Sequence, residues 1–209
     1  MLRPQGFIVP CQPTAALKPP LGPDWIHEIK HDGYRIMAWR AADRVRLLTR
    51  NRSDFGERFP LVTEAIGGLP ARSCVIDGEI TVCDAQGLSV FELLRHGPRV
   101  KRNAVLFAFD LLELDGRELI HVPIEERKYQ FARLLHECAA GVQLCSYLEG
   151  PGNVVFEHAC KLGCEGIVSK RLGSKYCRGP GKCSDWIKVK NPAAPAVRRE
   201  AEEDWGKRR

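Results

Sequence analysis

The amino-acid sequence predicts an α+β fold, in which antiparallel or mixed β-sheets are flanked by helices. Several segments alternate apolar and polar residues and are separated by turn residues, a pattern typical of strands and hairpins. Other segments place apolar residues at helical spacing and end near glycine. Neither a GxxxxGK[ST] loop nor a GxGxxG loop occurs. We therefore expect any bound nucleotide to be held by side chains and strands rather than by a glycine-rich loop.

The predicted strands follow a proline-rich stretch, residues 1–23, that we expect to be extended. Alternation predicts strands in "DWIHEIK" and "YRIMAWRA", joined by a hairpin turn at Asp32–Gly33, and a third strand in "RVRLLTR". Five later segments are interpreted as strands: "SCVIDGEITVCD", "NAVLFAFDLLEL", "VQLCSYL", "EGIVSK" and "DWIKVK". The sequence thus predicts strands along most of its length.

Four segments are predicted to be helical: "ERFPLVTEAIGGL", "SVFELLRHG", "PIEERKYQFARLLHECAA" and "NVVFEHACKLG". The third is the clearest, because Pro123 suits a first helical turn and five apolar residues form one stripe that we interpret as core: Ile124, Phe131, Leu134, Leu135 and Cys138. We expect one domain over residues 24–192, followed by a polar tail over 193–209 that contains at most one short helix.

The chain has 209 residues, of which 28% are charged, and a net charge of +6. It contains no apolar run of about 18 residues, and its first twenty residues lack the apolar region of a signal peptide. We therefore expect a cytoplasmic protein, associated with the nucleoid and not with a membrane.

Residues 161–190 contain eight basic and two acidic residues, so this segment alone has a charge of +6. A solvated basic face explains this bias, as does a surface that binds phosphate.

The nine cysteines form no CxxC pair, and the spacings 160–164 and 177–183 match no common zinc pattern. We expect small buried apolar residues or free thiols rather than a metal–thiolate site.

Strand alternation sorts the residues with reactive side chains onto shared faces. One strand would present Glu28 and Lys30, another Asp77, Glu79 and Thr81, and a third Trp186, Lys188 and Lys190. Within one sheet, these faces would form a cleft of lysines and carboxylates. Alternation places Glu165 and Lys170 on opposite faces, so we do not expect them to act together. Taken singly, each motif is also explained as an ordinary turn or an amphipathic strand.

Such a cleft suits the attack of a lysine amine on phosphorus, which forms a phosphoramidate. Neighbouring cations and partial desolvation would lower the pKa of the attacking lysine. Lys188 and Lys190 would supply that charge, and carboxylates such as Glu79 and Glu165 would hold Mg²⁺ against the phosphates.

The segment "KHDGYR" resembles the KxDGxR motif of ATP-dependent DNA ligases and mRNA-capping enzymes. Five further segments follow in the order of that family: "TRNRSDF", "IDGEI", "FAFDLL", "EGIVSK" and "DWIKVK". Over about residues 7–192, the chain is most similar to the ligase portion of the bacterial end-joining ligase D proteins. The resemblance implies a DNA ligase adenylation domain with an ATP-grasp-like fold.

The resemblance also implies a role for each matched residue, with ATP and Mg²⁺ or Mn²⁺ as cofactors. Lys30 would be the nucleophile that takes AMP from ATP, and Asp32 and Gly33 would shape its loop. Six further residues would bind the nucleotide: Glu28 at the adenine amino group, Arg35 at the ribose, Arg50 at AMP and the 5′-phosphate of the nick, Phe109 stacked on adenine, and Lys188 and Lys190 at the α-phosphate. Glu79 would bind ribose or metal, and Glu165 would bind metal.

The sequence departs from the family in two respects. It ends about seventeen residues after "WIKVKN", without the OB-fold domain that normally follows, and it reads "YCRGPGKCSDW" where the family has Y-x-S-G-x-S. We expect nicked or broken DNA to be a partner of this chain. A separate OB-fold or end-joining protein is a second candidate partner. Two alternatives remain open: an RNA ligase or capping-type nucleotidyltransferase, and a non-catalytic remnant that binds nucleotide or DNA ends.

Overall fold

The computed structural model describes residues 7–95, 103–136, 140–179 and 181–199. The strands are β1 Gln12–Ala15, β2 Trp25–Ile29, β3 Tyr34–Ala41, β4 Arg44–Thr49, β5 Ser73–Thr81, β6 Val105–Leu114, β7 Arg117–Glu118, β8 Val142–Leu144, β9 Tyr147–Leu148, β10 Gly166–Arg171 and β11 Lys182–Lys190. The helices are α1 Pro60–Gly67, α2 Phe91–Arg95, α3 Ile124–Leu134 and α4 Gly152–Lys161, and residues 195–199 are also helical. The predicted α+β class is confirmed.

In the described part of the chain, these strands form two sheets. One has the order β1-β11-β10-β2-β9, and the other has the order β4-β3-β5-β6-β7, with β8 added beside β6. The pairs β1–β11 and β6–β8 are parallel and the remaining pairs are antiparallel, which agrees with the predicted antiparallel or mixed sheets.

Three apolar cores hold the layers together. The largest lies between the β4-β3-β5-β6 sheet and helices α1 and α3, where Val62 and Phe131 are buried. A second core lies between the two sheets and includes Met37 from one sheet and Trp186 from the other. A third core, with Val155 of α4, covers the outer face of the β11-β10-β2 sheet. The chain is therefore built in helix–sheet–sheet–helix order, and a cleft between the sheets is walled by strands on both sides.

The predicted hairpin at Asp32–Gly33 is wrong, although both flanking strands are present. β2 pairs with β10 and β9, whereas β3 pairs with β4 and β5, so residues 30–33 cross from one sheet to the other. Gly33 lacks the positive φ of a tight hairpin turn. A Cβ at Gly33 would lie 2.1 Å from the carbonyl oxygen of Ile80, so glycine is needed here because the crossover approaches β5 closely.

The single strand predicted for "VQLCSYL" is also wrong, because the segment contributes one short strand to each sheet. β8 pairs with β6 and β9 pairs with β2, and the chain changes sheet between them. Alternation alone did not reveal this break, since β-like residues continue across it.

The predicted helices are present, and Gly68 caps α1 as expected. Cys138, the last residue of the predicted α3 stripe, lies outside the described residues. In the described part of the predicted tail, Ala194 and Ala196 are buried. None of the helices that the structure describes is long and apolar enough to cross a membrane.

Candidate active site

A cavity of about 290 Å³ opens between the two sheets. The residues that line it include seven of the predicted nucleotide-binding residues: Glu28, Lys30, Arg35, Arg50, Glu79, Phe109 and Lys188. Both sheets contribute, since β2, β10 and β11 form one wall and β3, β5 and β6 form the other. Lys190 is outside this lining, and its charge acts on Glu165 instead. The predicted cleft is therefore built by two sheets rather than by one.

Lys30 lies where β2 ends and the crossover begins. Its backbone N–H donates to the carbonyl oxygen of Gly166 at 2.9 Å, which ties the crossover to β10. Its Nζ is 2.5 Å from Oε1 of Glu165, and the lysine side chain remains 22% exposed. The amine thus stands in a cleft, held by a buried carboxylate and open to a ligand.

Glu79 and Glu165 form the carboxylate part of the site. Burial raises the pKa of Glu79 to about 8, against the opposing charges of Lys30 and Arg35. Burial also raises the pKa of Glu165, and within the described residues its buried Oε2 has no hydrogen-bond partner. Two mutually repelling carboxylates, one with an unsatisfied oxygen, are a donor set that fits a hard divalent cation such as Mg²⁺.

Arg35 is fixed by a partner that the sequence did not single out as its anchor. Its guanidinium donates two hydrogen bonds to Asp77, from Nε at 3.0 Å and from Nη2 at 2.7 Å. The Tyr176 hydroxyl donates to the same carboxylate at 2.5 Å. This bidentate pairing orients Arg35 at the cavity wall and leaves its remaining N–H groups for a ligand.

Glu28 belongs to a buried charge cluster with two lysines. Its carboxylate lies 2.5 Å from Lys128 Nζ and 2.8 Å from Lys170 Nζ. Both lysines also donate to the carbonyl oxygen of Phe109 at 3.2 Å. Sequence reasoning placed Lys128 on a helix without a site role, since nothing local indicates that a helix packed on β6 carries a lysine that reaches Glu28 of β2.

Phe109 and Trp186 form the aromatic part of the cavity. Their rings meet edge to face with centroids 6.1 Å apart, and Lys170 Nζ lies 3.9 Å from the Trp186 centroid. Trp186 and Lys170 were not assigned to the pocket from the sequence. Alternation did predict that Trp186 shares a face with Lys188, and both line the cavity.

The predicted separation of Glu165 and Lys170 fits their different partners. Glu165 contacts Lys30, whereas Lys170 contacts Glu28. Gly166, between Glu165 and the rest of β10, has a φ of +146°. A Cβ there would lie 2.1 Å from the carbonyl oxygen of Val189, so only glycine allows this approach of the two strands.

The segment after β11 returns to the Lys30 crossover. Arg199 Nη2 donates to both carboxylate oxygens of Asp32, at 2.9 and 3.0 Å, and the guanidinium lies 4.4 Å from the Phe91 ring centroid. A second cavity, of about 210 Å³, is lined by this segment, by α2 and by Lys30 itself. Lys30 therefore borders two cavities, and Arg199 braces the loop that carries it.

The two sheets, the cleft between them and the lysine at its edge define a DNA ligase adenylation fold. The solved structure of mycobacterial DNA ligase D complexed with ATP and MES superposes with a TM-score of 0.73 at 30% identity, covering 88% of this chain and 60% of that one. The ligase domain of Mycobacterium tuberculosis LigD matches with a TM-score of 0.72, also at 30% identity and with the same coverage.

The family model described as "ATP dependent DNA ligase domain" matches residues 10–190, so the chain belongs to this family. The multifunctional non-homologous end joining protein LigD of Pseudomonas aeruginosa is 36% identical over 187 residues, which cover 88% of this chain. A "Probable DNA ligase" of Saccharopolyspora erythraea is 33% identical and covers 78% of this chain. The chain spans only 22% of the length of that LigD and 32% of the length of the probable ligase.

Proposed function

We propose that this chain is an ATP-dependent DNA ligase module that forms a covalent lysyl-AMP on Lys30 and passes AMP to a DNA 5′-phosphate in end-joining repair. The observation that carries the proposal is the convergence of Lys30 with six other predicted nucleotide-binding residues in one cavity between the sheets. Family membership supports ATP as the nucleotide.

In the first step, Lys30 Nζ attacks the α-phosphorus of ATP. A P–N bond forms, the P–O bond to pyrophosphate breaks, and the amine releases its proton. Phe109 would stack on the adenine and Glu28 would face its amino group. Arg35, Arg50, Lys188 and Lys190 would bind the ribose and phosphates, because their charge opposes that of the nucleotide.

Glu79 and Glu165 would hold Mg²⁺ or Mn²⁺, with Glu79 also within the nucleotide cavity. The bound cation would neutralise part of the negative charge of the phosphates. In the later steps the 5′-phosphate of a nick displaces Lys30 from AMP, and the 3′-hydroxyl then displaces AMP to form the phosphodiester. Nicked or broken DNA is therefore the proposed second substrate.

Residues 24–192 are the proposed adenylation domain, with 1–23 as its extended leading segment and 193–209 as a polar tail, of which Ala194, Ala196 and Arg199 pack against the domain. The relatives named LigD are several times longer than this chain. We therefore propose that complete sealing also uses an OB-fold or end-joining component, either on the same polypeptide or on a separate partner.

The first step is tested by incubation with α-³²P-labelled ATP and Mg²⁺, followed by denaturing electrophoresis. We expect acid-labile label on the wild-type chain and at least about a hundredfold less on Lys30→Ala and Lys30→Arg, since neither side chain can form the phosphoramidate. Lys18→Ala, at an exposed lysine in the leading segment, is the control and should label normally.

Two outcomes would overturn the assignment: no label on the wild-type chain, or unchanged label on Lys30→Ala. Sealing of a pre-adenylated nick isolates the last step, because it does not require self-adenylation. Competition by unlabelled ATP but not GTP would separate the proposal from a capping-type activity.

A further inference from the structure

Outside the nucleotide cavity, the structure brings two cysteines and a carboxylate together in the segment where the sequence departs from the family pattern. The ligand atoms of Cys177, Cys183 and Asp185 all lie within 4.8 Å of one another. Among the described residues, no other group of three His, Cys, Asp or Glu residues comes this close. We propose that these three side chains, together with Cys11, which is buried in the same apolar core as Cys183, bind one thiophilic divalent cation of the zinc class.

The spacing of the donors suits such a cation. Zinc–sulfur bonds of about 2.3 Å in a tetrahedron place neighbouring donors about 3.8 Å apart, so only small side-chain movements are needed from the observed arrangement. Sulfur donors select zinc-like cations over Mg²⁺ or Ca²⁺, which prefer oxygen. The site is thus distinct in chemistry from the carboxylates around Lys30.

Cys11 reaches the site through the parallel pairing of β1 with β11. Pro13 of β1 pairs with Cys183, and Cys11, two residues before it, is fully buried in the same apolar core as Cys183. The register of that pairing jumps from Pro13–Cys183 to Thr14–Ile187, so extra residues of β11, Asp185 among them, bulge beside the cysteines. The donors therefore come from two stretches of chain that are distant in sequence, one with Cys11 and the other with Cys177, Cys183 and Asp185.

Asp185 distinguishes a cation site from an ordinary buried thiol cluster. A carboxylate takes no part in a disulfide, whereas Asp is an ordinary zinc ligand beside cysteine sulfurs. One of its oxygens lies 3.2 Å from Arg171 Nε in a half-exposed ion pair, and a carboxylate has a second oxygen with which it can bind a cation. On binding, each cysteine releases its thiol proton to solvent as its sulfur bonds to the cation.

The site would brace the back of the nucleotide cavity. The backbone N–H of Cys11 donates to the Tyr176 hydroxyl at 2.9 Å, and that hydroxyl donates to Asp77, which holds Arg35. Trp186 follows Asp185 on β11 and packs edge to face on Tyr176. Three hydrogen bonds thus connect Cys11 with Arg35, a residue of the cavity wall.

The test is zinc content, which does not depend on any activity. Reduced, chelator-treated chain is incubated with ZnSO₄, desalted and analysed by plasma mass spectrometry. We expect about one zinc per chain for the wild type and for Cys160→Ser/Cys164→Ser, a matched control at the end of α4, and below about 0.2 for Cys177→Ser/Cys183→Ser. Circular dichroism shows whether each variant is folded.

Two further measurements keep the proposal open to refutation if the double variant unfolds. Co²⁺ loading of the wild type should produce intense sulfur-to-cobalt absorption, and Asp185→Asn should weaken zinc binding at least about tenfold. Wild-type chain with reduced thiols and below about 0.2 zinc would overturn the proposal. So would a chain without zinc in which peptide mapping of the unreduced protein finds a Cys177–Cys183 disulfide.

Discussion

At the scale of single residues, the buried cluster of Glu28, Lys128 and Lys170 combines stability with the proposed binding of adenine. Lys170 is 1% exposed, and burial lowers its pKa although the Glu28 carboxylate opposes that shift. Buried ion pairs add little net stability, but removal of one partner leaves an uncompensated charge. The position of Glu28 at the cavity therefore depends on lysines that need not touch the nucleotide.

We expect Lys170→Met to lower the free energy of unfolding by about 3 kcal/mol, because Glu28 and the Phe109 carbonyl each lose a buried donor. Urea denaturation followed by tryptophan fluorescence measures this. Lys161→Met, at an exposed lysine of α4, is the matched control and should change stability by less than about 0.5 kcal/mol. Equal effects of the two substitutions would contradict the assigned role of the cluster.

At the scale of elements, the crossover from β2 to β3 is the feature on which the site depends. Three contacts hold this crossover in place. Gly33 approaches β5 closely, the Lys30 backbone N–H donates to the Gly166 carbonyl, and both carboxylate oxygens of Asp32 contact Arg199. Arg199 comes from helical residues 195–199, so this contact joins the segment after β11 to the nucleophile loop. We interpret Arg199 as a positioning residue.

If Lys30 is adenylated as proposed, Arg199→Gln should slow labelling at saturating ATP by about tenfold, with a smaller change in the KM for ATP, because the loop loses its brace while the cavity keeps its contacts. Single-turnover labelling measures both quantities. Arg198→Gln, at the exposed neighbouring arginine, should label at the wild-type rate, and Arg199→Lys should recover part of the loss.

An unchanged rate for Arg199→Gln, beside a wild type that labels, would refute the positioning role and leave the proposed function intact. Loss of label in every variant and in the wild type would instead refute the proposed function. The two failures are therefore distinguishable in one experiment.

At the scale of the whole molecule, the basic segment 161–190 divides into cavity and surface. Lys170 is buried against Glu28 and Lys188 lines the cavity, whereas Lys161, Lys175 and Lys182 are exposed. The charge that appears as one block in the sequence thus serves two places. The exposed part is the proposed contribution to binding the DNA backbone.

We expect Lys161→Gln/Lys175→Gln to weaken binding of a nicked duplex by about tenfold at low salt, and to reduce the slope of log K against log salt by about two, one for each lost phosphate contact. Labelling by ATP should be unaffected. Arg44→Gln, at an exposed arginine at the end of the β3–β4 hairpin, should leave the slope unchanged. Fluorescence anisotropy across a salt series measures the binding constant and its salt slope. An unaltered slope in the double variant would place the DNA surface elsewhere.

The sequence by itself determined the local structure and the reactive side chains. Period-two alternation and helix stops are short-range signals, so β2, β3, β5, β10 and β11 could be placed, together with the faces that present Lys30, Glu79 and Lys188. The family resemblance added the order of the motifs, and the comparisons confirmed the family and the fold.

Only the tertiary structure decided which elements meet. Alternation states which face a side chain occupies but not which strand pairs with it, so the predicted hairpin at Asp32–Gly33 became a crossover between two sheets. The same reason explains why Lys128 contacts Glu28 and why Cys11 lies in one core with Cys183, residues separated by about a hundred positions or more. Those contacts arise from helix docking and sheet pairing, which no local pattern encodes.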